Sequence, residues 1–248
     1  MQPVNLDKQN KQVIIRKQSP KRVFDWYKAG FNLFKADKFN WISISIAAWV
    51  MALLATLIPF IGEIVLSLLL PGVFAIAHHS DREQDFKAEL LFAGFKHRLG
   101  PLLQLFVINF AFSIICVLIT GSITGIDLSA LADTQQWLYF MQVAGLVYLP
   151  FFVLVVLTAG IIMLYDLKCW PAFKLAIQGG LANLPGLLIF TLVTLFAAML
   201  ASIPMFLGLL VFIPILHATI YYLVSDIFYC REQFKVPYEK SAEDSFYV

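Results

Sequence analysis

The chain has 248 residues, 60% of them hydrophobic and 14% charged. A soluble domain carries about 25% charged residues, so this composition excludes an ordinary water-facing exterior and leaves much of the surface to lipid. The net charge of +2 and a pI near 8.4 decide little alone; where the charges fall decides more.

Residues 1–18 are polar and mixed in charge, without the apolar core and cleavage site of a secretory leader. They read as a flexible cytoplasmic N-terminus. From Ser19 to Phe39 the pattern becomes helical. Ser19 and Pro20 form a helix start, and Val23, Tyr27, Gly30 and Phe34 share one face, with Lys21, Arg22, Asp25, Lys28 and Lys35 mostly elsewhere. This predicts an amphipathic helix lying in the membrane surface.

The run from Trp41 to His79 holds one charge, Glu63, and is long enough for two spans of about 20 residues each. The turn falls at "PFIGE", Pro59 to Glu63. A second amphipathic stretch, Asp85 to Leu99, carries Lys96, His97 and Arg98 directly before Pro101. Single spans follow from Pro101 to Thr120 and between Asp133 and Asp166. Trp170 to Ala182 is a third, weaker surface helix, and Leu184 to Phe228 accommodates two more spans divided by "SIPMFLG", Ser202 to Gly208. The prediction is an all-α polytopic membrane protein with six transmembrane helices.

That count places all 18 Lys and Arg on one side with 13 acids, a net +5, and leaves only Glu63, Asp127 and Asp133 opposite, a net −3. Basic loops stay in the cytosol, so both termini are expected there. Merging either hairpin into one span would strand a basic loop outside.

The second helix of each pair has an internal proline: Pro71, Pro150 and Pro214. Asn40 to Pro71 and Asn183 to Pro214 are both 31 residues apart, and the middle unit is longer by the segment Gly121 to Gln136. One membrane domain, residues 19–228, is therefore read as three repeats, about 19–80, 81–166 and 167–228, each a surface helix plus a helical hairpin with a proline-kinked second helix. Residues 229–248 form a cytoplasmic tail. An internal proline leaves the carbonyl four residues back without its donor; for Pro71 that residue is Ser67, whose hydroxyl is a candidate helper.

"LFAGFKHRLGPLL", "CWPAFKLAIQGGLANLPGLL" and "LVFIPILHATIYYLVSDIF" together resemble a group of uncharacterised bacterial integral membrane proteins. More distantly they are similar to YciC-like proteins and to the membrane domains fused to some glycerophosphodiester phosphodiesterases. The resemblance covers about Trp26 to Phe228 and implies a multi-pass protein of the bacterial inner membrane. The phosphodiesterase domain is absent from this chain, so its activity is not implied.

No zinc-helix motif, phosphate loop or nucleophile elbow is present, so no catalytic residue and no cofactor is expected. His78 and Asp81 have helical metal-ligand spacing without a third ligand, so no metal is expected either. The candidate intramembrane polar site is His217, Asn109 and Asp226. His217 is read either as a group that titrates or contacts substrate, or as a neutral imidazole bonded to a carbonyl freed near Pro214. Asp226, with Asp81 and Asp166 at matching helix ends, is either part of an acidic mouth or a partner for nearby Lys and Arg. Asn109, with Ser113 four residues on, suits an interhelical hydrogen bond.

Arg22, Lys28, Lys35, Lys96 and Arg98 are the candidate contacts to anionic lipid headgroups of the cytoplasmic leaflet. Trp26, Trp41, Trp137 and Trp170 lie near span ends, as interfacial anchors do. The expected partners are membrane lipids and a further membrane protein, with no nucleic acid. The expected function is non-enzymatic organisation of lipid or of a partner; the alternative is a small-solute or lipid transporter.

Overall fold

The computed structural model describes residues 13–55, 57, 61–126, 134–205 and 207–230. Among them the order is β1 (Val13–Ile15), α1 (Arg22–Ala36), α2 (Lys38–Ala55), α3 (Ile61–Glu83), a 3-10 turn (Ala88–Phe92), α4 (Ala93–His97), α5 (Leu99–Thr124), α6 (Thr134–Tyr165), α7 (Cys169–Ala182), α8 (Leu184–Ser202), α9 (Leu207–Ile227) and β2 (Phe228–Cys230). Six helices, α2, α3, α5, α6, α8 and α9, are long and apolar enough to cross a membrane. The six expected spans correspond to them one for one.

The two members of each pair differ in burial. Of the apolar windows of α2, α5 and α8, 12%, 17% and 17% is buried inside the protein, against 67%, 44% and 33% for α3, α6 and α9. The second helices are therefore the inner ones. All three continue through their prolines, Pro71, Pro150 and Pro214. Beyond Pro71 every residue from 71 to 80 is buried, as is every residue from 157 to 165 in α6. These inner segments meet at Gly160, where an added Cβ would stand 3.0 Å from the Phe74 ring and 3.1 Å from Val224 Cγ2.

The amphipathic segments wrap this centre. α1 packs on α9, the 3-10 turn and α4 pack on α3, and α7 packs on α6. Each turns its apolar residues inward, in α1 Val23, Trp26, Gly30, Leu33 and Phe34. Glycine allows two of these approaches to reach backbone distance. A Cβ on Gly30 would overlap Thr219 Oγ1 and lie 2.7 Å from Thr219 N; one on Gly72 would overlap the carbonyl of Leu91 and lie 2.8 Å from its Cα.

Local details depart from the expected pattern. The start of α1 is Lys21, with no side-chain cap, rather than Ser19. The middle surface helix is broken into the 3-10 turn and α4, because Gly72 and Gly94 bring its backbone against α3 at two points. Much of the presumed middle insertion is helix: α5 runs to Thr124 and α6 starts at Thr134. Asp127 and Asp133 lie outside the described residues.

The domain edges also differ. Val13–Ile15, assigned to a flexible N-terminus, pairs antiparallel with Phe228–Cys230, so the ladder runs two residues into the presumed tail. Arg16 N donates to Ile227 O at 2.8 Å, the Arg16 guanidinium sits 3.8 Å over the Tyr229 ring, and the Tyr165 hydroxyl donates to Phe228 O. Residues 1–12 and 231–248 lie outside the described residues.

Candidate functional site

Asp81, Asp166 and Asp226, at the C-terminal ends of the inner helices, each have partners. The Asp226 carboxylate accepts from Arg22 Nε and Nη2 at 3.1 and 3.0 Å and from the Trp26 indole N–H at 2.8 Å. Asp166, in a left-handed conformation (φ 57°) that Asp tolerates, pairs with Arg98. Asp81 accepts from the Tyr221 hydroxyl at 3.0 Å and from that of Tyr222. Asp226 therefore belongs to the collar around the inner helices, as a structural ion-pair partner, and not with His217 and Asn109. Trp26 is buried there rather than anchored in headgroups, and Arg22 and Arg98 direct their guanidinium groups at carboxylates.

Asn183, between α7 and α8, is the unforeseen member of this collar. It is buried; its Oδ1 accepts from Gln18 N at 2.7 Å, and its Nδ2 donates to Arg16 O at 3.1 Å and Gly179 O at 2.9 Å. Gln18 Nε2 in turn donates to Asp226 O at 2.8 Å. The one sequence signal was a lone amide between two apolar helices. Nearby, His79 is buried with its Nε2 3.6 Å from Glu83 and 3.7 Å from Asp85, and His78 Nδ1 lies 3.3 Å from the Tyr221 hydroxyl. Among the described residues, no three His, Cys, Asp or Glu side chains converge on a point that would hold a metal.

Deeper in the spans, Asn109 Oδ1 accepts from the Tyr148 hydroxyl across α5 and α6, the interhelical bond its position suggested. Ser113 turns back to Phe110 O at 2.7 Å, and Ser67, the candidate helper for Pro71, turns back to Ile64 O at 2.7 Å. Hydroxyls bonded to their own helix present little to a solute.

His217 is placed differently. It stands in the wall between two cavities, one of about 490 Å³ bounded by α2, α3 and α9 and one of about 200 Å³ bounded by α3, α5, α6 and α9. Asn109 and Pro71 border the smaller one. No hydrogen bond to the imidazole is formed among the described residues, so the anticipated bond to a freed carbonyl is not made there. The larger cavity also touches Trp41, which is fully buried against Phe86, and whose indole N–H has no acceptor among the described residues. Leaving such a donor unpaired costs about 1–3 kcal/mol. Trp41 is thus a wall residue, whereas Trp137 and Trp170 are exposed as anchors are.

The outer face of α1 has its own order. Phe24, Lys28, Phe31 and Lys35 recur at helical spacing and all are exposed, Phe24 by 64% and Phe31 by 48%. Lys96 is exposed on α4. Beside it, burial first and then the charges of Arg98 and Lys96 hold the His97 imidazole below its usual value. Burial also lowers the Arg98 guanidinium and raises the Cys169 thiol. The Tyr27 hydroxyl is raised by burial, an effect partly offset by its 2.6 Å bond to Thr194 on α8.

Compared with known protein families, with curated proteins and with solved structures, the chain matches none.

Proposed function

We propose that this chain is a non-enzymatic multi-pass protein of the bacterial inner membrane that organises anionic lipid in the cytoplasmic leaflet. The observation that carries this reading is the outer face of α1. Exposed rings and exposed lysines alternate along it, at Phe24, Lys28, Phe31 and Lys35, with no carboxylate bonded to either lysine among the described residues. Rings of that kind insert among acyl chains while ammonium groups meet phosphates, at about 1 kcal/mol per cation near the surface. Lys96 adds a third cation of this kind, while Arg22 and Arg98 hold the collar together.

Two further features support the wider reading. The β1–β2 ladder ties the first and last described segments together, which favours both termini on one side; the placement of Lys and Arg favours the cytosol. The packing of each amphipathic segment on a post-proline helix, α1 on α9, α4 on α3 and α7 on α6, favours three repeats with kinks at Pro71, Pro150 and Pro214. A second copy of the chain or another membrane protein remains a partner of this proposal, on the exposed faces of α2, α5 and α8.

The alternative, a transporter, draws its support from the two cavities that meet at His217. It has less support because, among the described residues, no Asp, Glu, Lys or Arg lines either cavity, and Asn109 is already bonded to Tyr148. The test is lipid retention by the full chain, purified into nanodiscs containing equal phosphatidylglycerol and phosphatidylcholine. Native mass spectrometry should show phosphatidylglycerol enriched several-fold in the retained shell, and Lys28→Gln/Lys35→Gln should remove most of that enrichment. Equal retention of both lipids by the unaltered chain overturns the proposal.

A further inference from the structure

The larger cavity is a cleft with a closed end and an open end. Trp41, Leu91 and Leu69 close one end and are buried to within 2%. Trp49, Leu53 and Leu70 flank the other and are 50%, 70% and 47% exposed. Its volume, about 490 Å³, lies in the range of small-molecule sites, about 300–1,000 Å³. From Trp41 to Leu53 the α2 wall is about 18 Å long at 1.5 Å per residue.

The polar groups in the walls narrow the choice of occupant. Among the described residues no charged side chain lines the cleft, so an ionic head would be desolvated without a counter-charge from them. The Ser45 hydroxyl donates to Trp41 O at 2.9 Å, which uses its proton. The Trp41 indole N–H, in the wall of the inner part, has no acceptor among the described residues, and the His217 imidazole lines the same cleft with one nitrogen to donate and one to accept. Indole nitrogen donates only. The matching ligand group is a neutral acceptor, and the open end leads an apolar tail out past Leu53 and Leu70.

We infer that the cleft between α2, α3 and α9 binds a neutral, carbonyl-headed, long-tailed molecule, head inward against Trp41 and His217 and tail toward the bilayer. This deepens the lipid-organising proposal but rests only on its membrane-spanning part. The headgroup contacts of α1 lie on the opposite face of that helix from its packing against α9.

The probe is a long-chain fatty acid methyl ester carrying a photoreactive diazirine on its tail, added to the full chain in phosphatidylcholine nanodiscs. Label should fall on peptides containing residues 41–53 or 66–73. Methyl palmitate should compete at least several-fold better than hexadecane, which has no head, and better than palmitate, which is ionised. Trp41→Phe keeps the ring and loses only the donor; it and His217→Leu should each weaken competition about two- to tenfold, the worth of one neutral hydrogen bond. Label elsewhere, equal competition by hexadecane, preference for palmitate, or no change in either variant overturns the inference. Lys28→Gln/Lys35→Gln should leave the ester labelling intact, so failure of the cleft and failure of the headgroup contact give different results.

Discussion

Two regions of the same helices live in different solvents. From Pro71 to Ser80, α3 is buried on every side; before it, residues such as Leu70 are 47% exposed. α6 repeats the contrast, with Leu146 at 69% and Ile161 and Ile162 at zero. In α3 the buried stretch is the less apolar of the two, ending in His78, His79 and Ser80, so apolar content does not create the difference. Lipid tails attract a leucine as well as a neighbouring helix does. What separates the regions is the collar of amphipathic segments, which brings glycine-mediated close packing and paired charges to the buried end.

If that distinction holds, substitutions in the collar should cost far more than equal ones in the splayed ends. The largest effect is expected at Gly72→Leu, whose Cβ overlaps the Leu91 carbonyl. Overpacking against backbone should cost about 3 kcal/mol or more, read as loss of the monodisperse protein in detergent or a large fall in its unfolding midpoint. Leu192→Ala on the 66% exposed face of α8 should stay within about 0.5 kcal/mol. Equal losses at both sites would erase the contrast.

Next in size is Asp226→Ala, which strips the acceptor from the buried Trp26 indole and from Arg22. A loss of about 2 kcal/mol is expected. Arg22 is 45% exposed on its side chain, so an Arg22/Asp226 double-mutant cycle should return only about 1 kcal/mol of coupling, with most of the loss assigned to Trp26. A full additive result for Trp26→Phe and Asp226→Ala would contradict that division.

Smaller again is Tyr148→Phe, which removes the bond to Asn109 between two spans. Bonds of this kind average about 0.6 kcal/mol in the bilayer, so the unfolding midpoint should barely move. The smallest effect is expected from Lys28→Gln/Lys35→Gln, whose stability should match the parent within about 0.5 kcal/mol even as its lipid shell changes.

The spans were legible because each is an apolar run of bilayer length bounded by turn residues and charges, a signal that needs no tertiary knowledge. The inward face of α1 was legible from helical spacing at Val23, Gly30 and Phe34. Its partner was not: periodicity shows that a face must be covered, but not that α9, nearly 200 residues away, covers it. Trp26 looks the same in sequence whether its N–H meets a headgroup or Asp226. Of the candidate site, Asn109 and His217 stood out as polar residues in apolar runs. The cleft beside His217 did not, because a cavity is made by three helices at once. Val13–Ile15 is too short to announce a strand.

The seam between α1 and α9 has a consequence for biogenesis. A chain is made from its beginning, so α1 emerges first and the helix it packs on emerges last. Until the ribosome has passed Cys230, Val23, Leu33 and Phe34 have no α9 and Val13–Ile15 has no second strand. The nascent protein must park that sticky face somewhere, in the lipid surface or on an insertase, until α9 and Phe228–Cys230 arrive to release it.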